Sequence, residues 1–181
     1  AVGPGLSMNV AAAEITRCVL ERDDKVRILD ADALNIIAGE HIDYKGSREG
    51  QIIITPHIME MSRLTGKTVA DIKEHMIESA KEYAIQHSCI CILKDARTVV
   101  TDGQKVYINC TGNDGMSTGG CGDVLTGLIA GMTAMGLDAF EAACLSVYVH
   151  GKAGDYAASG KGRAGMTAAD ISEAIAYVLK R

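Results

Sequence analysis

The 181-residue chain has no CxxC pair and no excess of positive charge: 23 Asp and Glu stand against 18 Lys and Arg, a formal net charge of -5. Each shortage removes a class of function. An acidic balance gives no general electrostatic attraction to nucleic acid or to an anionic membrane. The six cysteines (Cys18, Cys89, Cys91, Cys110, Cys121 and Cys144) lack CxxC and Cys-to-His ligand spacing. That pattern argues against a zinc site or a disulfide framework, and reduced thiols suggest the cytoplasm. The longest uncharged apolar stretch near the middle, Val124 to Leu137, falls short of the ~20 residues that span a bilayer and is broken by glycines, so it reads as a buried helix. The N-terminus lacks the charged-then-apolar pattern of a signal peptide. No GxGxxG follows a strand, and Gly66-Lys67-Thr68 is not the end of a Walker A loop, because its first glycine would fall on Met61.

What is present is enough apolar residue, 48% of the chain, to build one domain without a disulfide or metal staple, which excludes disorder as the main description. Short β-rich runs alternate with longer helical patterns, the signature of an α/β fold with helices on both faces of a mostly parallel sheet. Met8 to Arg22 has helical spacing; Val26 to Leu29, Gln51 to Thr55 and Cys89 to Lys94 read as buried strands. Thr68 caps a helix that runs through Val69, Ile72, Met76, Ala80 and Tyr83. Thr98 to Thr101 and Lys105 to Asn109, joined by Asp102-Gly103-Gln104, read as an antiparallel hairpin at the sheet edge. Beyond Asp123 the chain reads as helical over Asp123 to Met135, Ala139 to Ala158 and Ala168 to Lys180. Cys89 and Cys91, two apart on a strand, point to one face as small buried hydrophobes.

In an open parallel sheet, ligands collect beyond the carboxyl ends of the strands. Gly3, Gly5, Asp30, Asp32, His57, Glu60, Lys94 and the loop from Asn109 to Asp123 follow predicted strands. Asp30 and Asp32 read most simply as caps of the helix after them, and His57 as a partly exposed helix-start residue without a ligand partner. Lys94, ending an apolar strand, calls for an anionic partner, since burying an unpaired ammonium is costly. The strongest signal is the stretch from Gly112 to Asp123, with five glycines in twelve residues, leading straight into an apolar helix. Backbone N–H groups there can turn inward, and the helix start adds oriented donors, so the stretch reads as an anion hole. Asp123 beside it suits phosphoryl transfer, as acceptor of a proton from an attacking hydroxyl.

Seven motifs together resemble one family. They are Gly3-Pro4-Gly5-Leu6, Leu29-Asp30-Ala31-Asp32-Ala33-Leu34-Asn35, Thr55-Pro56-His57, Leu93-Lys94, the stretch from Gly112 to Gly131, His150-Gly151-x-Ala153-Gly154-Asp155, and Gly165-Met166-Thr167-Ala168-x-Asp170. The family is the ADP/ATP-dependent NAD(P)H-hydrate dehydratases, lyases on the ribokinase-like fold that repair hydrated NADH and NADPH. The resemblance implies one domain over residues 1–181 with the N-terminal part of the fold missing, and a cytoplasmic homo-oligomer, commonly a tetramer. It implies that Gly5, His57 and Asp123 contact the hydrated dinucleotide, with Asp123 as the base. Lys94, Asp95, Ala96, Arg97, Thr98 and Gly122 would hold ADP or ATP, and Glu60 would help position Mg²⁺ through water. Asp95 stands where the family has Gly, Ile58-Met59 where it often has Pro-Gly, and Cys121 where Ser is common. The alternatives are a small-molecule kinase of the same fold, acting on a thiazole or pyrimidine alcohol, and a nucleotide-binding module without turnover.

Overall fold

The computed structural model describes residues 1–22, 24–46 and 51–180; Asp23, residues 47–50 and Arg181, included in the expected domain, lie outside the described residues. The elements run α1 (Val10–Leu20), β1 (Arg27–Leu29), α2 (Asp32–Gly39), β2 (Ile52–Ile54), α3 (Ile58–Thr65), α4 (Val69–Glu74), α5 (Met76–His87), β3 (Ile90–Leu93), β4 (Val99–Thr101), β5 (Val106–Ile108), α6 (Cys121–Ala134), α7 (Ala139–Lys161) and α8 (Ala168–Val178). A short 3₁₀ turn covers Asp114–Met116. The strands form one sheet in the order β1-β2-β3-β4-β5. β1, β2 and β3 pair in parallel, whereas β4 runs antiparallel to both β3 and β5, so the expected hairpin closes one edge of a mixed sheet.

Alternation along the strands explains the layers. Ile52 and Ile54 of β2, with Cys91 and Leu93 of β3, enter one core cluster with Leu34, Met61, Ile72 and Tyr83 from α2 to α5. Ile53, Ile90 and Ile92 point the other way, onto Leu125, Ile129, Ala143 and Val147 of α6 and α7. A strand whose residues are apolar at consecutive positions has to be covered on both faces. The result is three layers, and Cys89 and Cys91 are buried on the same side, as their spacing predicts.

The helix predicted from Thr68 through Tyr83 is two helices. His75, at φ -126 and ψ 49, separates α4 from α5 and redirects the chain so that Ile72 and Ala80 reach one cluster. Thr68 caps the helix that follows it, as read from the sequence, and the structure adds Asp71 as the reciprocal partner of the cap. At the other end of the chain's order, Val2 forms a parallel bridge to Leu29, and Gly3 follows at φ 127. A Cβ on Gly3 would stand 1.7 Å from the carbonyl oxygen of Asp30, so the turn approaches β1 as only glycine can.

Gly3→Ala is therefore expected to lower unfolding free energy by at least ~2 kcal/mol, through overlap and backbone strain together. Gly39→Ala, at a helix end with open space around it, should be neutral or stabilising by about 0.5 kcal/mol. Urea denaturation of the two variants checks the contrast; equal effects would refute the packing argument.

Candidate active site

Three parallel strands deliver three polar residues to one end of the sheet. Asp30 follows β1, His57 follows β2 after Thr55 and Pro56, and Lys94 follows β3. Lys94 and His57 are locked side by side by a parallel bridge in which the Lys94 N–H donates to the Pro56 carbonyl at 2.8 Å.

Asp30 is the electrostatic centre. Its side chain is 2% exposed, and Lys94 Nζ donates to its Oδ1 at 2.9 Å. Thr126, in α6, donates its hydroxyl to Oδ2 at 2.8 Å. Burial, the largest single influence, pushes the Asp30 carboxyl up, but the Lys94 charge and the hydrogen bonds from Lys94, Thr55 and Thr126 outweigh it and hold the group below its ordinary 3.8. The structure thus corrects two sequence expectations. Asp30 is no cap: the cap position before α2 is Ala31, φ 48, with no side-chain cap bond, and Asp32 instead accepts from the Ser7 N–H at 2.8 Å. The anionic partner that Lys94 requires lies within the chain.

His57 caps α3 with its imidazole. Nδ1 accepts from the N–H groups of Met59 and Glu60, both at 3.1 Å, which assigns the ring proton to Nε2, 3.4 Å from Glu60 Oε1. Glu60 is 4% exposed, and its Oε2 accepts from the His57 N–H at 2.8 Å. Burial raises the Glu60 carboxyl above its ordinary value, against the His57 N–H and the Lys94 charge, while neighbouring Asp30 pushes in the same direction as burial. The sequence reading of His57 as a half-exposed helix-start residue describes its local role.

α6 closes the site from the other side. Its start is Gly120, φ 87, and the first intrahelical bond runs from the Val124 N–H to the Gly120 carbonyl. The N–H groups of Gly122 and Asp123 therefore point out of the helix start without intrahelical acceptors. A Cβ on Gly122 would lie 3.5 Å from Lys94 Nζ and 3.7 Å from Asp30 Oδ2, which places the helix start directly against the ion pair. Asp123 follows, exposed, in the first turn of α6. Asp95, Ala96 and Arg97 are exposed on the turn after Lys94, which Thr98 closes with a hydroxyl bond to the Asp95 carbonyl at 3.2 Å. Gly5, φ 64, sits in the turn beside Asp30, with open space where a Cβ would be.

Two residues that sequence reasoning did not select also belong here. Thr126 carries no separate signal in the sequence beyond lying one turn past Gly122. His150, in α7, is 9% exposed with a buried Nε2 lacking a hydrogen-bond partner. Burial, helped by the Lys94 charge and opposed by the Cys121 backbone, pushes it down to about 4, so it is neutral at pH 7.

Among the described residues, no group of three His, Cys, Asp or Glu side chains is arranged to hold a metal ion. A lone buried carboxyl such as Glu60 suits Mg²⁺ carried on phosphates, because that ion keeps several waters and needs only one or two carboxylates. Among the described residues, no helix is long and apolar enough to cross a membrane.

Comparison with known proteins gives the family. A family model for NAD(P)H-hydrate dehydratase matches residues 1–177. The bifunctional NAD(P)H-hydrate repair enzyme Nnr of Moorella thermoacetica is 46% identical over 99% of this chain, which covers 34% of that protein. The ADP-dependent (S)-NAD(P)H-hydrate dehydratase of Neisseria meningitidis is 35% identical, with 99% and 62% covered. A crystal structure of the Bacillus subtilis ADP/ATP-dependent NAD(P)H-hydrate dehydratase, co-crystallised with ATP/Mg²⁺ and soaked with CoA, superposes with a TM-score of 0.86 at 32% identity, covering 98% of this chain and 63% of that one. The chain thus spans about a third of the bifunctional relative and less than two thirds of the others, and its fold is ribokinase-like.

Lys94→Met tests the electrostatics. Wild-type Asp30, held below 3.8, contributes stability that is present above that value and lost as pH falls through its folded pKa. Without Lys94, burial dominates and the folded pKa rises above the unfolded one, so the sign reverses and protonation relieves the penalty. The variant should be ~2–3 kcal/mol less stable at neutral pH, with the deficit shrinking as pH falls toward about 4. Guanidinium unfolding across that range checks it; a deficit independent of pH would contradict the assignment.

Proposed function

The chain belongs to the NAD(P)H-hydrate dehydratase family, and we propose that it returns hydrated NADH or NADPH to the reduced cofactor, using ADP or ATP as phosphoryl donor. The observation that carries this reading is the meeting of the α6 start with the Lys94–Asp30 pair at Gly122. That meeting combines helix-start N–H donors with a fixed ammonium, the pattern that stabilises charge on a phosphoryl group in transfer.

In this reading Lys94, Asp95, Ala96, Arg97, Thr98 and Gly122 hold the nucleotide. Gly5 and His57 bind the hydrated dinucleotide. Asp123 takes the proton of the ring hydroxyl while its oxygen attacks the terminal phosphorus, and the bond from that phosphorus to the rest of the nucleotide breaks. The ring nitrogen's electron pair then expels phosphate with cleavage of the carbon–oxygen bond, and loss of a proton from the adjacent carbon restores the ring double bond. Mg²⁺, when bound, supplies charge neutralisation on the phosphates, and Glu60 would reach it through water. The same reading includes a cytoplasmic setting and a homo-oligomer, for which light scattering gives the mass directly.

Recovery of reduced-nicotinamide absorbance from hydrated NADH, with Mg²⁺ and ADP or ATP, is expected from the wild-type chain. Asp123→Ala should reduce it by about 10²- to 10⁴-fold, the scale of a lost general base, with nucleotide binding retained. A wild-type chain that binds Mg-ADP but recovers no absorbance, and instead phosphorylates a thiazole or pyrimidine alcohol, would replace this reading with the kinase.

Gly122→Ala separates binding from folding. The added methyl meets ordinary contact distances, and alanine favours the helix by ~1 kcal/mol over glycine. Stability should hold or rise while Mg-ADP affinity falls about tenfold, one hydrogen bond's worth or more; undiminished affinity in titration calorimetry would exclude this face as the phosphate site.

A further inference from the structure

The motif His150 to Asp155 has no part in the chemistry above, yet it forms the seat on which the glycine-rich loop is built. Two of its glycines exist for contact. A Cβ on Gly151 would lie 2.1 Å from Thr111 Oγ1, and one on Gly154 would lie 2.3 Å from Met116 Sδ. Helix α7 thus lets the loop come down to its backbone at two points one turn apart. Thr111 is further tied by a hydroxyl bond to the Tyr148 carbonyl at 3.0 Å.

The carboxylate that ends the motif makes the most specific contact. Asp155 Oδ2 accepts from the Gly112 N–H at 3.1 Å, and Oδ1 accepts from Asn113 Nδ2 at 3.0 Å. Asn113 Oδ1 in turn accepts from the Gly115 N–H at 3.1 Å. The amide of Asn113 can satisfy both neighbours in one orientation only. Gly112 is at φ 102, where few other residues would rest. The loop is therefore held from Thr111 to Met116, while Ser117, Thr118 and Gly119 are exposed and lead into the α6 start.

We propose that Asp155 is a positioning residue for the phosphoryl step, acting through Gly112 and Asn113 to hold the glycine-rich loop in its anion-binding form before the nucleotide arrives. The proposal rests on the dehydratase reading for the identity of the reaction, and on the hydrogen bonds of Asp155 for the clamp itself. Preorganised donors cost no reorganisation at the moment of transfer, which is why a residue that touches no substrate can matter for rate.

Asp155→Asn tests it with a built-in rescue. The new amide can still accept from Gly112, but its NH₂ faces the NH₂ of Asn113. If Asn113 flips to accommodate it, the Gly115 N–H loses its acceptor. The double exchange Asn113→Asp with Asp155→Asn restores donor to acceptor at every link and keeps the net charge. Hydrogen exchange of the Gly112 and Gly115 amides, Mg-ADP affinity and absorbance recovery are measured on the wild-type chain, the single variant and the double variant. In the single variant the Gly115 amide should exchange at least about tenfold faster, the scale of one lost hydrogen bond, with the Gly112 amide affected less because it keeps an acceptor. Turnover should fall by about 10- to 100-fold, with weaker Mg-ADP binding, and the double variant should recover most of each loss.

Unchanged loop exchange, unchanged Mg-ADP affinity, or a double variant no better than the single would overturn the clamp. So would a uniform rise in exchange across the chain, which marks general destabilisation. A wild-type chain that binds Mg-ADP without absorbance recovery refutes the dehydratase reading alone, because exchange and affinity still decide on Asp155.

Discussion

A carboxylate buried at the end of a strand needs compensation, and much of the site's geometry follows from how Asp30 obtains it. Lys94 comes from the end of β3, Thr126 from one turn inside α6, and the Gly3 turn packs against the Asp30 backbone from the start of the chain. Replacing such a buried pair by apolar residues can leave stability unchanged or raise it, whereas removing one partner is costly, so the pair is better understood as fixing an arrangement than as holding the fold together. Satisfying Asp30 brings the α6 start against Lys94. An apolar residue at position 30 would remove the need for Thr126 at that distance, and with it one of the constraints that bring helix donors to the strand ends.

The glycines of the loop before α6 divide by what each one meets. A Cβ on Gly115 would stand 2.4 Å from the Arg163 carbonyl oxygen, so this glycine is there for close packing. Gly112 and Gly120 are there for positive φ. Gly119 meets nothing within 4 Å, and its absent side chain leaves the backbone approachable from outside. One sequence feature, a run rich in glycine, thus serves packing at its first half and access at its second. Arg163 contributes again by pairing with Asp114 at 3.0 Å, so the fixed half is braced from the α7–α8 connection as well as from α7.

Much of this was legible in the sequence because it depends on neighbours a few residues away. The strands announce themselves through β-branched runs such as Ile52-Ile53-Ile54, and the hairpin through Asp102-Gly103; the Thr68 cap needs only Asp71. Legibility ends where a residue's partner is distant. Asp30 before a helical pattern looks like a cap, and what disqualifies it is Ala31 at φ 48 together with a lysine 64 positions later. Lys94 could be recognised as a charge in need of a partner, but not which partner. Asp155 stood inside a recognisable motif, yet its two acceptor bonds reach 43 and 42 residues upstream. The break at His75 has the same origin, since helical periodicity continues through it and the redirection serves the shared core of Ile72 and Ala80.

Behind the α6 start the buried ion pair is internally compensated, and this bears on what a phosphate arriving there would feel. Asp30 and Lys94 neutralise one another. His150, pushed down to about 4, carries no charge at pH 7. With the Lys94 charge partly offset by Asp30, the helix-start N–H groups and the positive end of α6 add to the attraction for an anion, while acidic Asp123 in the same turn works against it. A fully exposed cluster of lysines would attract phosphate more strongly but release it more slowly and orient it less. A helix start set against a compensated ammonium gives an anion direction with moderate strength.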